Sequence, residues 1–317
     1  MANQHLTMLD LAKRSGVVGP LIEENKDVAP EFIRVPVKAR IAGTQFKTKV
    51  RKSLPSVGFR NLNEGSETVK SEYAQELAQC HVIDPQIEVD EAILAADDLG
   101  QGAGGILADE ASGVMQAIML HVGRQFYYGS SNDAKGFSGC ESFVDSTMVT
   151  DATGSTATTG SSVYGVKFGR QGVGYILGGG TLLKMNTWAR QQITRNNAIT
   201  GDPEKLMAFV NNLMGWIGLD FGHTKAISRI YNLTAQSGKG LTDDLASDDR
   251  EKWPVGMKPD VYFATKRSVA QLQRSRTALG QVAYAGGAIA PWPTEMNGIP
   301  IIETDSLDNT ETIGQGI

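Results

Sequence analysis

The sequence predicts an α+β protein built around a basic hairpin and one long helix. Three observations lead there. Phe46, Thr48 and Val50 alternate with Lys47, Lys49 and Arg51, which is strand periodicity. Ile106, Leu107, Ala111, Val114, Met115, Ile118, Met119, Val122 and Phe126 recur at helical spacing. After Ser162 the texture changes to short strands and helices, and the 36 glycines supply more turns than a helical bundle needs.

The elements follow in order. Residues 6–14 read as a short helix that Thr7 caps and Gly16 ends, and 21–27 as a second. Residues 29–36 turn extended because Pro30 and Pro36 disfavour helix. Residues 44–52 form a strand, 59–65 a turn-rich tip, and the return begins at Thr68. This excursion of ~14 residues per side reaches ~45 Å, and a lone hairpin needs a partner surface. Residues 73–89 continue extended, and 105–128 form the long helix. The Ser/Thr/Gly-rich stretch 145–162 reads as loop. Strands are expected at 163–168, 173–177, 216–221, 261–264 and 299–303. Helices are expected at 203–214, with Asp202 as cap and Pro203 in the first turn, at 241–253, and at 268–276 with Thr265 near its start.

Charge is sorted along the chain. Lys38, Arg40, Lys47, Lys49, Arg51, Lys52, Arg60 and Lys70 stand against only Glu64 and Glu67 in the interval 38–70. From Ser71 to Gly123 there is no Lys or Arg, while Glu72, Glu76, Asp84, Glu88, Asp90, Glu91, Asp97, Asp98, Asp109 and Glu110 all fall there. A net charge of -5 conceals this division. A basic arm followed by an acidic region can attract copies of itself, which points to a building block rather than an enzyme. No apolar run approaches the ~20 residues of a membrane span, and residues 1–14 lack a signal-peptide pattern, so synthesis in a cytoplasm is expected. Cys80 and Cys140 form no CxxC and read as buried free thiols.

Catalytic patterns are missing. Gly100, Gly102 and Gly105 satisfy a literal GxGxxG, but Asp97 and Asp98 before it would repel a pyrophosphate, and no acidic residue follows near 121–128. A kinked approach to the long helix is the simpler reading. The chain has no GxxxxGK[ST], no GxSxG and no HExxH. Cys80 and His81 are adjacent, so a strand points them to opposite faces. No cofactor and no metal is expected. Direct nucleic-acid recognition would want aromatics among the cations, and only Phe46 and Phe59 qualify. A solvated basic face and pairing between subunits both remain open.

The order of arm, basic hairpin, acidic strand, long helix, mixed region and final strand resembles the major capsid proteins of tailed bacteriophages. Local sequence carries the resemblance to a podovirus-like branch: Leu11-Ala12-Lys13-Arg14, Leu21-Ile22-Glu23-Glu24-Asn25, and Pro55-Ser56-Val57-Gly58-Phe59-Arg60 with Asn63-Glu64-Gly65. Glu110-Ala111-Ser112-Gly113-Val114-Met115, Gly136-Phe137-Ser138-Gly139, Gly215-Trp216-Ile217-Gly218-Leu219 and Pro254-Val255-Gly256 continue it. So do Arg267-Ser268-Val269-Ala270-Gln271-Leu272-Gln273 and Gly298-Ile299-Pro300-Ile301. The series spans nearly the whole chain, and no single motif is diagnostic.

The resemblance implies a Hong Kong 97-type fold. Its parts would be an N-terminal arm (1–41), an extended loop (42–72), a peripheral domain with a spine helix (73–135 and 297–317) and an axial domain (136–296). It implies hexamers and pentamers closing an icosahedral shell around double-stranded DNA, with scaffolding and portal proteins as partners and a decoration protein as a further one. The location implied is the virion. Some relatives weld subunits through a Lys–Asn bond, and nothing local singles out such a pair here. An encapsulin-like compartment and an unrelated α+β enzyme are the alternatives. The expected contact sets Lys47, Lys49, Arg51, Lys52, Phe59 and Arg60 of one subunit on Glu72, Glu76, Glu88, Asp90, Glu91, Asp97 and Asp98 of the next.

Overall fold

A computed structural model describes residues 27–95, 102–179, 183–196, 201–283 and 289–314. The helices expected at 6–14 and 21–27, Asp27 excepted, lie outside the described residues, as do Asp97, Asp98 and Gly100. The described residues open with α1 (Glu31–Arg34), β1 (Val37–Ile41), β2 (Gln45–Ser53), β3 (Glu72–Gln79), β4 (His81–Ile83) and β5 (Gln86–Asp90). Then come α2 (Glu91–Ala95), α3 (Gly102–Tyr128), β6 (Val149–Asp151), β7 (Ser161–Val166), β8 (Val173–Gly178), β9 (Lys184–Met185) and β10 (Ala189–Asn196). The rest is β11 (Pro203–Phe221), β12 (Ile227–Leu233), α4 (Asp243–Lys252), β13 (Val261–Ala264), α5 (Lys266–Ala283), β14 (Glu295–Met296) and β15 (Ile299–Glu303).

Two sheets and α3 organise the core. In the first sheet β1, β8, β11 and β10 lie in that order, with β4, β5 and β9 also paired to β11. The second runs β14-β15-β13-β7-β12-β6. Its central strand β7 is buried at every residue. Strand alternation sorts those side chains to two cores. Tyr164, Val166, Ile227, Val261 and Phe263 join α3, β8 and β11 on one side. Val163, Ile230, Leu233, Tyr262 and Ala264 pack with Val269 and Leu272 of α5 on the other. The apolar stripe of α3 enters the first core through Ile106, Ile118, Val122 and Phe126, and Phe126 meets the rings of Tyr175 and Phe263 edge-on. Gly129 at φ 54° ends the helix, in a conformation glycine adopts without strain.

Some expectations change. Residues 203–214 are strand, not helix: β11 runs unbroken for 19 residues. Leu206, Met207 and Ala208 are good helix formers, but β10 pairs one edge of this stretch and β5 the other. Two ladders outweigh local propensity, and Pro203 is compatible as the first residue of a strand. Residues 29–36 contain the short helix α1 because Pro30 leads into it at φ −65°, and extended backbone resumes at Val35 before Pro36. The return strand of the hairpin starts at Glu72 rather than Thr68, so residues 54–71 form an irregular tip. The 145–162 loop holds β6 and the start of β7, and β1, β10 and β12 have no counterpart in the sequence reading. β11 pairs with β4 and β5, and β15 pairs with β13, so both sheets join strands from either side of residue 135 or 297. Among the described residues no helix is long and apolar enough to cross a membrane.

Candidate assembly surface

β2 and β3 form a two-stranded ladder of their own, from Gln45↔Gln79 to Ser53↔Glu72. Strand alternation gives the ladder two faces. Phe46, Thr48 and Val50 share one with Ala74, Glu76 and Ala78, and all six are half-buried. Lys47, Lys49 and Arg51 share the other with Tyr73, Gln75 and Leu77, and all six are exposed. The outer face thus presents three cations and no carboxylate. Lys47 and Lys49 have no ion-pair partner among the described residues.

The root of the arm is tied down. The Cys80 amide donates to Thr44 O at 2.8 Å. Lys38 on β1 donates to Asp220 Oδ2 and to Gly172 O, each at 2.7 Å, with both charged side chains buried. Thr48 Oγ1 reaches Asp220 Oδ1 at 3.5 Å. The arm and β1 border a cleft of about 1180 Å³ whose lining also includes Arg170, Gln171 and His223.

Outward from the root, the contacts are local to the arm. Lys52 Nζ meets Glu76 Oε1 at 2.5 Å, and Ser53 Oγ donates to Glu72 Oε2 at 3.1 Å. Arg51 donates to the Tyr73 hydroxyl at 3.1 Å and lies 5.4 Å from its ring centroid. That hydrogen bond holds the Tyr73 hydroxyl below its ordinary pKa. At the tip Asn61 to Glu64 make a turn with Asn63 at φ 68°, and Arg60 donates to Glu64 O. Leu54, Val57, Phe59 and Leu62 stand in solvent, Phe59 completely so. Four large apolar side chains on one irregular segment make a surface suited to a partner.

The acidic side is partly occupied within the subunit. Glu88 pairs with Arg195 at 3.0 Å, and Glu91 with Arg190 at 2.7 Å. Asp90 accepts from the Ala92 amide at 2.9 Å. Among the described residues the structure therefore brings Lys52 to Glu76 but brings none of the other arm cations to the acidic side chains of the same chain. Sequence reasoning missed Arg190 and Arg195, because β10 reaches β5 only across β11, about a hundred residues away in sequence. Among the described residues no group of three His, Cys, Asp or Glu side chains could hold a metal ion.

The comparisons agree with this architecture. The family model of major capsid protein GP7 matches residues 34–313. No curated protein sequence matches. The chain superimposes on the capsid structure of bacteriophage Epsilon15 with a TM-score of 0.69 at 18% identity, covering 98% of each chain. Against the bacteriophage JBD30 capsid the TM-score is 0.51 at 8% identity, over 95% of this chain and 99% of that one. The holo-SrpI encapsulin complex from Synechococcus elongatus PCC 7942 gives 0.47 at 7% identity, over 74% and 98%.

Proposed function

The chain belongs to the major capsid protein GP7 family, and from that premise we propose that its exposed β2–β3 arm is the contact by which neighbouring subunits hold each other. The protein is a phage major capsid protein with a Hong Kong 97-type fold; it forms the virion shell and is not an enzyme. The family favours the phage shell over an encapsulin-like compartment.

The observation that carries the contact is the outer face of the arm. Lys47, Lys49 and Arg51 lie there without a carboxylate among them, beside exposed Tyr73 and Leu77. In this reading they, with Lys52 and Arg60, face acidic groups of an adjacent subunit among Glu72, Glu76, Glu88, Asp90, Glu91, Asp97 and Asp98, and Phe59 supplies a buried anchor. Since Lys52, Glu88 and Glu91 already have partners in their own chain, Lys47 and Lys49 carry most of the attraction. Contacts in a ring are heterologous, so sorted charge fixes register between unlike faces. Each exposed pair contributes only ~0–1 kcal/mol, and a closed shell sums many of them. We assign 1–41 to the N-terminal arm, 42–72 to the extended loop, 73–135 with 297–317 to the peripheral domain and 136–296 to the axial domain. Hexamers and pentamers in an icosahedral shell, scaffolding, portal and decoration proteins, and non-specific contact with packaged double-stranded DNA complete the proposal.

Reversing Lys47→Glu and Lys49→Glu together tests it. The subunit should melt as the parent does, because both side chains are exposed and neither has an ion-pair partner to lose among the described residues. Assembly followed by light scattering at low salt should fail, since like charges brought together cost several kcal/mol per contact. The parent should associate more weakly as salt rises, because screening takes hold within ~8–10 Å near physiological ionic strength. Normal shells from the double variant at low salt would remove the basic face from the contact.

A further inference from the structure

A second device sits away from the arm, at the start of the described chain. α1 is only four residues long, yet its first residue, Glu31, is fully buried. Its Oε2 accepts from Thr304 Oγ1 at 2.9 Å. Among the described residues its Oε1 makes no well-formed hydrogen bond; it lies against Gly123 of α3, beside the Ser306 hydroxyl. A Cβ at position 123 would stand 2.2 Å from Oε1 and 2.4 Å from Ser306 Oγ, so the absent side chain of Gly123 is what admits the carboxyl. Nearby, the Val28 amide donates to Asp305 Oδ2 at 2.8 Å, and the Asp305 amide donates back to Val28 O at 3.1 Å. Residues 28–31 are thus fastened to the 304–306 segment and to α3.

The groups facing Glu31 come from every element around it. Tyr127 of α3, Cys140 and Tyr175 of β8 feel its charge from the core, each with its own ionisation suppressed first by burial and then by Glu31 or their neighbours. Asp305 is the nearby charge, and it has the same sign. An ionised Glu31 would have the Thr304 hydroxyl, its own amide and the nearby Ser306 hydroxyl as donors but, among the described residues, no countercharge, with Asp305 of the same sign beside it, and a buried charge without a countercharge is strongly disfavoured.

We propose that Glu31 is a proton-dependent latch: seated in its neutral form, it fastens residues 28–36 to α3 and to the 304–306 segment, and loss of the proton lets that segment leave. Burial pushes the carboxyl above its ordinary range and Asp305 adds to the rise, while Ser306, its own backbone amide and Thr304 oppose it. The docked segment holds its proton to higher pH than the free segment does. Docking is therefore complete below the ordinary carboxylate range and weakens as pH rises through the raised value. The latch uses no residue of the arm, so it stands or falls apart from the intersubunit contact.

Hydrogen exchange at the amides of residues 28–36 tests it, on the full chain from about pH 4, below the ordinary carboxylate range, to about pH 9, corrected for intrinsic rates. Parent protection should fall with rising pH, tenfold for each unit by which seating raises the pKa. Glu31→Gln should hold its protection constant with pH, because it stays neutral at similar size. Gly123→Ala should release the segment at every pH while α3 amides remain protected. A flat parent profile overturns the proposal without either variant. So does an equal pH slope in parent and Glu31→Gln, or full protection of the segment in Gly123→Ala.

Discussion

Ile118→Asp is expected to yield no stably folded subunit. Ile118 is 3% exposed on α3, one turn before Val122 and two before Phe126, within the core shared with β8 and β11. Losing such a side chain costs about 2–5 kcal/mol from lost burial and the cavity left behind. A carboxylate in its place adds several more, since it would enter an apolar cluster. A domain has only about 5–15 kcal/mol to lose. Ser112→Asp on the same helix is exposed and should shift stability by no more than about 0.5 kcal/mol. Circular dichroism melts of the two variants make the comparison. A cooperative melt of Ile118→Asp within a few degrees of the parent would mean that α3 does not carry the core.

Asp220→Ala is expected to cost about 3–5 kcal/mol, the usual penalty for stranding one member of a buried ion pair. The Lys38 and Asp220 side chains are 8% and 6% exposed, and their 2.7 Å contact ties β1 to β11 at the root of the arm. After the substitution Lys38 keeps the Gly172 and Asp220 carbonyls but no anion. Adding Lys38→Met should recover much of the loss, because it removes the stranded charge and keeps the apolar stem. The coupling between the two changes, read from denaturant midpoints, measures the pair itself. Additive effects would show that the contact contributes nothing beyond its separate parts. The arm should also lose protection at its root, since Thr48 shares Asp220.

Much of the fold was legible because much of it is local. The stripe from Ile106 to Phe126 needs only the 3.6-residue period to declare a helix, and α3 spans it. Phe46 to Arg51 alternate, and β2 carries the alternation as half-buried and exposed faces. Thr242 caps α4 at the Leu245 amide, close to where the helix at 241–253 was expected. The family was legible too, through short motifs strung in order along most of the chain. The helix expected at 203–214 failed for the opposite reason. Lys205 to Met214 suits either state by propensity, and the choice falls to β5 and β10, which are remote in sequence.

The candidate surface divides in the same way. By itself the sequence determined that the arm is basic, that Lys47, Lys49 and Arg51 share one strand face and that a carboxylate-rich region follows, because residue type and the two-residue period are properties of neighbours. Only the tertiary structure decided which of those charges are already satisfied. Arg195 and Arg190 quiet Glu88 and Glu91 across β11, and Lys52 quiets Glu76 across the hairpin. It alone also decided that Glu31, unremarkable in sequence, is sealed against Gly123 and Thr304. Burial and ion pairing depend on what the folded chain brings within a few ångströms, and those partners lie from tens to hundreds of residues away.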